Sequence, residues 1–219
     1  MSSAESVLAR AHDNRLRGPF NSWIFRVLEG HFHRRLGPTR QEVLSRVSGE
    51  VVEIGAGNGP TLRYLPASVA RLHAVEPNRH FHTRLRRAAI EHGLDLVLHD
   101  TPGEGLDLPN ASMDAAIVSW VLCTVADPDQ VLAEVRRVLR PGGRFVFIEH
   151  VHAPEGSAVR AVQQAVARPW RWIFEGCHTT RDTAAVIRRA GFSAVEIEPV
   201  RVATPFVPIR TQIAGVATA

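Results

Sequence analysis

The chain has 219 residues, of which 45% are hydrophobic, and this length and composition predict one well-buried core. The net charge of +4 arises from arginines interspersed with acidic residues, and aromatic residues make up only 6%, so we expect no nucleic-acid partner. No apolar run approaches the roughly 20 residues that a membrane-spanning helix needs, and the N-terminus lacks an apolar signal core. We therefore expect a cytoplasmic protein without stable membrane insertion.

The first 48 residues differ in kind from the rest of the chain. Segments 22–36 and 39–47 have apolar residues at helical spacing and precede the first predicted strand. We expect residues 1–48 to form a helical cover. Such a cover can lie across the carboxyl ends of the strands as a lid, or it can only pad one face of the sheet.

From residue 50 onward, short β-branched runs alternate with helical stretches, which predicts a parallel sheet with helices on both faces. The predicted strands are 50–54, 71–75, 94–98, Met113–Ser119 and 144–150, and the predicted helices are one beginning at 60 or 61, then 79–90, 128–139 and 158–167. Two further strands after Gly191 have no room for a crossover helix between them, so they should pair antiparallel. The prediction is a seven-stranded, Rossmann-like α/β sheet, parallel except for an antiparallel C-terminal hairpin strand.

A glycine turn follows the first strand in the sequence VVEIGAGNG at 51–59. Gly55 and Gly57, with Ala56 between them, allow the backbone to approach a ligand closely. The last glycine of a dinucleotide-binding GxGxxG turn would fall at position 60, which is Pro60. Together with the terminal hairpin, this favours S-adenosylmethionine (SAM) over NAD.

Two acidic residues are candidates to bind this nucleoside cofactor. Glu53, two positions before the first glycine, can reach the ammonium of the methionine moiety of SAM directly or through water; otherwise it is a solvated residue at the strand end. Glu76 ends the second strand and precedes Pro77, where an acid accepts hydrogen bonds from both ribose hydroxyls of SAM or NAD alike.

The next two strand ends supply further cofactor candidates. The loop after the third strand provides residues that either face the adenine or only form the turn: Asp100, Thr101, Gly103 and Glu104. Ser119 and Trp120 end the fourth strand and should lie beside the cofactor. Cys123 follows on the same segment, and a lone cysteine of this kind is more often a packing residue than a nucleophile.

Five sequence motifs together resemble those of the class I SAM-dependent methyltransferases, and more closely those of the methyltransferase-like 7 group of animal thiol S-methyltransferases. The motifs are EIGAGNG, VEPN, SWVLCTV, LRPGGRFVFIEH and FEGCHTTR. The resemblance implies a SAM-binding methyltransferase domain at 49–219 and methyl transfer to a small-molecule acceptor, with a thiol as first candidate. O-, N- or C-methylation of a natural product, quinone or lipid stays open. Those animal proteins begin with a hydrophobic anchoring segment; because this N-terminus is polar, membrane attachment is not carried over.

Methyl transfer is an in-line displacement, so alignment in a dry pocket matters more than acid–base chemistry. His150, at the end of the fifth strand, and His178, beside Cys177, are the candidates to remove a proton from the acceptor or to supply a positive field; otherwise each orders a loop. No metal is predicted, because the histidine pairs at 31/33 and 80/82 lack a third ligand and two cysteines alone make no thiolate zinc site.

Two function classes compete with the methyltransferase. An NAD-dependent oxidoreductase would share Gly55, Gly57 and Glu76, although it usually needs an additional catalytic domain. A non-catalytic SAM-binding protein would keep the glycine turn without turnover. The oligomeric state is not readable from the sequence.

Overall fold

A computed structural model describes residues 17–219, so the first sixteen residues of the predicted 1–48 cover lie outside the described part. The helices are α1 (Arg17–Leu44), α2 (Arg79–Glu91), α3 (Pro128–Val138), α4 (Ala158–Ile173) and α5 (Thr183–Arg189). The strands are β1 (Gly49–Ile54), β2 (Val69–Val75), β3 (Leu96–His99), β4 (Met113–Ser119), β5 (Leu139–His150), β6 (Ala194–Arg201) and β7 (Thr211–Thr218). Two single 3₁₀ turns span Leu62–Tyr64 and Val207–Ile209.

All seven strands form one sheet in the order β3-β2-β1-β4-β5-β7-β6. The first five strands are parallel, and β7 inserts antiparallel between β5 and β6. The predicted seven-stranded, Rossmann-like sheet with an antiparallel C-terminal hairpin strand is therefore confirmed. Because the parallel strands share one direction, the loops after β1, β2, β4 and β5 all emerge at the same edge.

The sheet is covered on both faces because neighbouring strand residues point to opposite sides. Val51 and Ile117 pack in one apolar cluster with side chains of α1 and α2, whereas Val52 and Val118 pack in another with side chains of α3 and α5. All four side chains are at most 1% exposed. This burial on both faces explains why the central strands read as continuous apolar runs.

Short polar side chains begin the helices that follow β2 and β4. The Asn78 side chain accepts a hydrogen bond from the backbone N–H of His80 at 3.1 Å. Asp127 accepts from the backbone N–H groups of Asp129 and Gln130, and Pro128 occupies the first helical position, where no N–H is needed. These caps fix where the chain turns from the sheet edge into α2 and α3.

One proline explains why a predicted helix is absent, whereas two other prolines lie inside helices without ending them. No helix begins at 60 or 61; the segment makes a single 3₁₀ turn, because Leu65 precedes Pro66 and adopts the extended conformation that a following proline favours. Conversely, α1 runs unbroken through Pro38 and α4 continues past Pro169, so both exceed the predicted segments. Within residues 17–219, no helix is long and apolar enough to cross a membrane.

Candidate active site

A cavity of about 240 Å³ lies at the sheet edge where the parallel strands end, and α1 closes one side of it. Ten of the predicted site residues line this cavity: Gly55, Ala56, Gly57, Glu76, Pro77, Gly103, Glu104, Ser119, Trp120 and His150. Glu53 and His178 are not among its lining residues. The sheet thus brings together positions up to 95 residues apart in sequence.

Both glycines of the turn after β1 line the cavity, but they differ in the space around them. Gly57 has φ +53°, and a Cβ built there would meet no atom within 4 Å. A Cβ on Gly55 would lie 2.5 Å from a methyl carbon of Val121, so this glycine allows close packing of two strand ends. The open face at Gly57 is the place where a ligand can approach the backbone.

Glu76 presents a carboxylate at the end of β2 that backbone groups hold in place. Its two oxygens accept hydrogen bonds from the N–H groups of Gly57 and Asn78, each at 2.8 Å. Burial raises the pKa of Glu76 to about 7, although these two hydrogen bonds favour the charged form. Each carboxylate oxygen retains a lone pair, so the pair of ribose hydroxyls that the sequence assigned to Glu76 fits this group.

Glu53 lies behind the glycine turn and is not among the cavity-lining residues, and its contact with the ammonium of SAM, directly or through water, stays a prediction. Its side chain belongs to a buried β1 residue, and one oxygen accepts a hydrogen bond from the Thr61 hydroxyl at 2.6 Å. The other oxygen has no hydrogen-bond partner. Burial raises the pKa of Glu53 to about 7, and the charge of nearby Arg40, which does line the cavity, acts in the opposite direction.

The loop after β3 reaches the cavity only through its second half. Glu104 is buried and accepts a hydrogen bond from the backbone N–H of Ala126 at 3.1 Å. A Cβ on Gly103 would lie 2.6 Å from Ile54, so a larger residue would push this loop away from the cavity. Asp100 instead pairs with Arg79 at 2.6 Å, and neither Asp100 nor Thr101 lines the cavity.

The segment after β4 begins with a strained backbone conformation and is held by hydrogen bonds to β5. Trp120 has φ +61°, a conformation that costs a residue with a side chain about 1–2 kcal/mol. Glu149 on β5 holds the next three residues, because its carboxylate accepts hydrogen bonds from the backbone N–H groups of Val121, Leu122 and Cys123 at 2.7–3.3 Å. Sequence reasoning missed Glu149, although an acidic residue inside an apolar strand was the available sign.

His150 lies at the bottom of the cavity with two buried cysteines. Its Nε2 is 3.0 Å from the Sγ of Cys177, and the Sγ atoms of Cys177 and Cys123 are 3.9 Å apart. The indole N–H of Trp170 also contacts Cys177 Sγ, at 3.3 Å. Burial raises the pKa of the Cys123 thiol well above its usual value, so this thiol stays protonated at neutral pH.

His178, the second candidate to act on the acceptor proton, is not among the cavity-lining residues. Its backbone N–H donates to the Cys123 carbonyl at 2.8 Å, which ties the two loops together, but the imidazole lies away from the cavity. Burial, followed by the charges of Arg181 and Arg171, lowers the pKa of His178 to about 4. The imidazole is therefore neutral at physiological pH and supplies no positive field.

The remaining wall consists mainly of apolar side chains from segments that are distant in sequence. The cavity-lining members are Ile24, Leu28 and Phe32 of α1, Trp170 and Phe174 at the end of α4, and Phe206 and Ile209 between β6 and β7. Phe32 meets Trp120 edge to face, with ring centroids 4.7 Å apart. Sequence reasoning made no assignment for Phe206 and Ile209, since only the fold brings their link to the site.

Comparisons with known proteins agree with this geometry. A family model described as a methyltransferase domain matches residues 52–147. Human thiol S-methyltransferase TMT1B is 32% identical over 204 residues, which cover 88% of this chain and 83% of the relative. The chain belongs to the class I SAM-dependent methyltransferases.

Two further similarities, one of sequence and one of fold, were found. Human thiol S-methyltransferase TMT1A is 28% identical over 197 residues, covering 85% of this chain and 80% of the relative. A SAM-dependent methyltransferase from Thermotoga maritima, titled a possible histamine N-methyltransferase, matches with a TM-score of 0.64 at 18% identity, covering 90% of this chain and 96% of that one. The chain therefore groups with the thiol S-methyltransferases and uses SAM, which argues against the NAD-dependent oxidoreductase.

Proposed function

We propose that this methyltransferase transfers the methyl group of SAM to the sulfur of a small, largely apolar thiol. The observation that carries the proposal is the apolar acceptor wall around His150. Aromatic side chains from four separate segments line it: Phe32, Trp120, Trp170, Phe174 and Phe206. Such a wall favours an uncharged, hydrophobic acceptor. The 32% identity to a thiol S-methyltransferase supports sulfur as the acceptor atom.

The cofactor end of the cavity fits SAM through groups that are already in place. SAM supplies an activated methyl group on a sulfonium sulfur. Glu76 would hold the ribose, Gly57 would let the cofactor lie against the backbone, and Gly103 with Glu104 would border the adenine. Arg40, which is 4% exposed and lines the cavity, is the cation suited to the carboxylate of the methionine moiety.

A thiol acceptor suits the limited acid–base equipment of this cavity. A free thiol has a pKa of about 8.5, so an appreciable minority is thiolate near neutrality and needs no strong base. His150 at the end of β5 is the residue we assign to receive or orient the acceptor proton. The apolar wall contributes by excluding water and by aligning the acceptor with the methyl group.

We also propose that α1 acts as the movable part of the cover. Ile24, Leu28 and Phe32 line the cavity from this helix, whereas Trp23 and Val27 on its other side are 50% and 58% exposed. If this helix closed over a bound ligand, its cavity-facing apolar side chains would be covered further.

The acceptor assignment is tested by incubating the full chain with labelled SAM and size-matched alkyl and aryl thiols, phenols and amines. We expect label in the thioether products alone. Methylation of phenols or amines but not of thiols would reject the thiol assignment and leave the methyltransferase assignment intact. No transfer to any acceptor, with SAM binding demonstrated, would reject both. A Glu76→Ala chain serves as the control for background transfer.

A further inference from the structure

Three metal-ligand side chains meet beside the acceptor wall, and no role assigned above uses them together. Cys123, His150 and Cys177 are buried, and their ligand atoms all lie within 4.8 Å of one another. All three residues also line the cavity. They come from the loop after β4, the end of β5 and the loop after α4, so only the fold assembles the cluster.

The spacing of these atoms is close to that of a metal centre. With Zn–S bonds of about 2.3 Å and Zn–N bonds of about 2.0–2.1 Å, a tetrahedral site places two sulfurs about 3.8 Å apart and sulfur and nitrogen about 3.6 Å apart. The two Sγ atoms are 3.9 Å apart, and Nε2 of His150 is 3.0 Å from Cys177 Sγ. A small outward movement of the imidazole would therefore make room for the ion.

We propose that Cys123, His150 and Cys177 bind a zinc ion whose fourth coordination position opens into the cavity, where the acceptor thiol binds as a thiolate. The metal site is independent of the acceptor, whereas its role in binding the thiol rests on the proposed function. Two cysteines and one histidine with one open position is a ligand set that catalytic zinc sites use. The sequence-based expectation of no metal considered the cysteines without His150.

The surroundings suit thiolate ligands. The indole N–H of Trp170 already points at Cys177 Sγ, and such a donor stabilises a metal-bound thiolate. Backbone contacts fix the other sulfur, since Glu149 accepts from the Cys123 N–H and His178 donates to the Cys123 carbonyl. A divalent ion with two thiolates and a neutral imidazole has no net charge, which lowers the cost of burial.

The chemical step balances without an oxidant or reductant. On binding to the zinc ion, the acceptor thiol releases its proton to solvent; His150, whose Nε2 would bind the ion, then orients the acceptor through the metal and does not receive its proton. A sulfur lone pair then forms the bond to the methyl carbon as the bond from that carbon to the sulfonium sulfur breaks. The neutral thioether is a poor zinc ligand and leaves, so the open position is restored. Before transfer, the bound acceptor thiolate gives the zinc site one net negative charge. This charge attracts the positively charged sulfonium of SAM.

The test is metal content and cobalt spectroscopy on the full chain, without acceptor or SAM. We expect an equimolar amount of zinc in protein purified without chelator, and after replacement by cobalt we expect absorption bands typical of tetrahedral thiolate ligation. Cys123→Ser, Cys177→Ser and His150→Ala should lose these bands. His178→Ala, beside Cys177 but outside the cavity, is the matched control and should keep them. Unchanged S-adenosylhomocysteine binding by the variants would show that they fold.

Several results would overturn the proposal. The first is the absence of both zinc and cobalt bands. The second is a metal content in the cysteine variants equal to that of the unmodified chain, and the third is a Cys123–Cys177 disulfide in the purified chain. Adding an alkyl thiol to the cobalt form should shift the bands; no shift by a thiol that the enzyme methylates would overturn the open coordination position. Thiol methylation that persists in metal-free protein would overturn the role of zinc in binding the acceptor and leave the proposed function standing.

Discussion

The two ends of the cavity are built in different ways. At the cofactor end, Gly57 and Glu76 follow directly on β1 and β2, and backbone hydrogen bonds fix the carboxylate. At the acceptor end, side chains of α1, α4 and the β6–β7 link form an apolar wall. The first end depends on local turn geometry and the second on long-range packing. We therefore expect substitutions at the first end to affect cofactor affinity, and those at the second to affect the acceptor alone.

The largest effect is expected for Glu76→Ala. Loss of the charge-assisted hydrogen bonds to the ribose should weaken SAM binding by roughly 1.5–3 kcal/mol. Isothermal titration with S-adenosylhomocysteine measures this loss. Glu91→Ala, an exposed glutamate at the end of α2, is the control and should bind normally. Unchanged affinity in Glu76→Ala would remove this residue from the site.

A methyl group at Gly57 should weaken cofactor binding by about 2 kcal/mol, because it would occupy the open face of the turn. Gly93→Ala is a matched control. Gly93 has a similar φ of +65° and equally open space, but it lies after α2 and outside the cavity. Both variants should lose similar stability in denaturant, and only Gly57→Ala should lose affinity. Equal affinities would show that the cofactor does not approach this turn.

Phe206→Ala should act on the acceptor end only. Removing one side of the apolar wall should raise KM for a thiol by about tenfold, in line with partial loss of a buried aromatic contact. The affinity for S-adenosylhomocysteine should stay unchanged. Phe192→Ala truncates a partly buried phenylalanine on the opposite side of the sheet and should alter neither value. A loss of cofactor affinity in Phe206→Ala would contradict the division of the cavity.

The pH dependence of cofactor binding should follow Glu76. Because burial raises its pKa to about 7, the carboxyl is mostly protonated at pH 6 and mostly charged at pH 8. If the charged form binds the ribose, affinity for S-adenosylhomocysteine should rise about tenfold from pH 6 to pH 8. Glu76→Gln should abolish most of this rise. A slope retained in Glu76→Gln would assign the titration to another group, of which Glu53 is the first to examine.

The smallest effect is expected in α1. If this helix closes over the ligand, backbone amides near Trp23 and Ile24 should exchange hydrogen a few times more slowly with S-adenosylhomocysteine bound. The solvent-exposed end of α2 around Ile90 serves as the internal control and should not change. Unaltered exchange near Trp23 and Ile24 would assign α1 to padding of the sheet.

The same contrast explains how much of the site the sequence revealed. The positions of the turn at Gly55 and of the acid at Glu76 were predictable, because residues just after a strand lie at the sheet edge where that strand ends. Phe206 comes to the wall because the link between β6 and β7 packs against Phe32 of α1, which the predicted antiparallel hairpin does not reveal. The meeting of Cys123 with Cys177 likewise requires two loops 54 residues apart. The location of Glu53 outside the cavity lining was not predictable, because its position beside the glycines does not reveal which face of β1 it occupies.

A crystal structure of the full chain with S-adenosylhomocysteine tests the two-ended cavity most directly. We predict that the ribose hydroxyls contact the Glu76 carboxylate, that the adenine lies by Gly103 and Glu104, and that the sulfur points toward His150 and the aromatic wall. A ribose bound away from Glu76, or a sulfur turned from His150 toward solvent, would contradict this account.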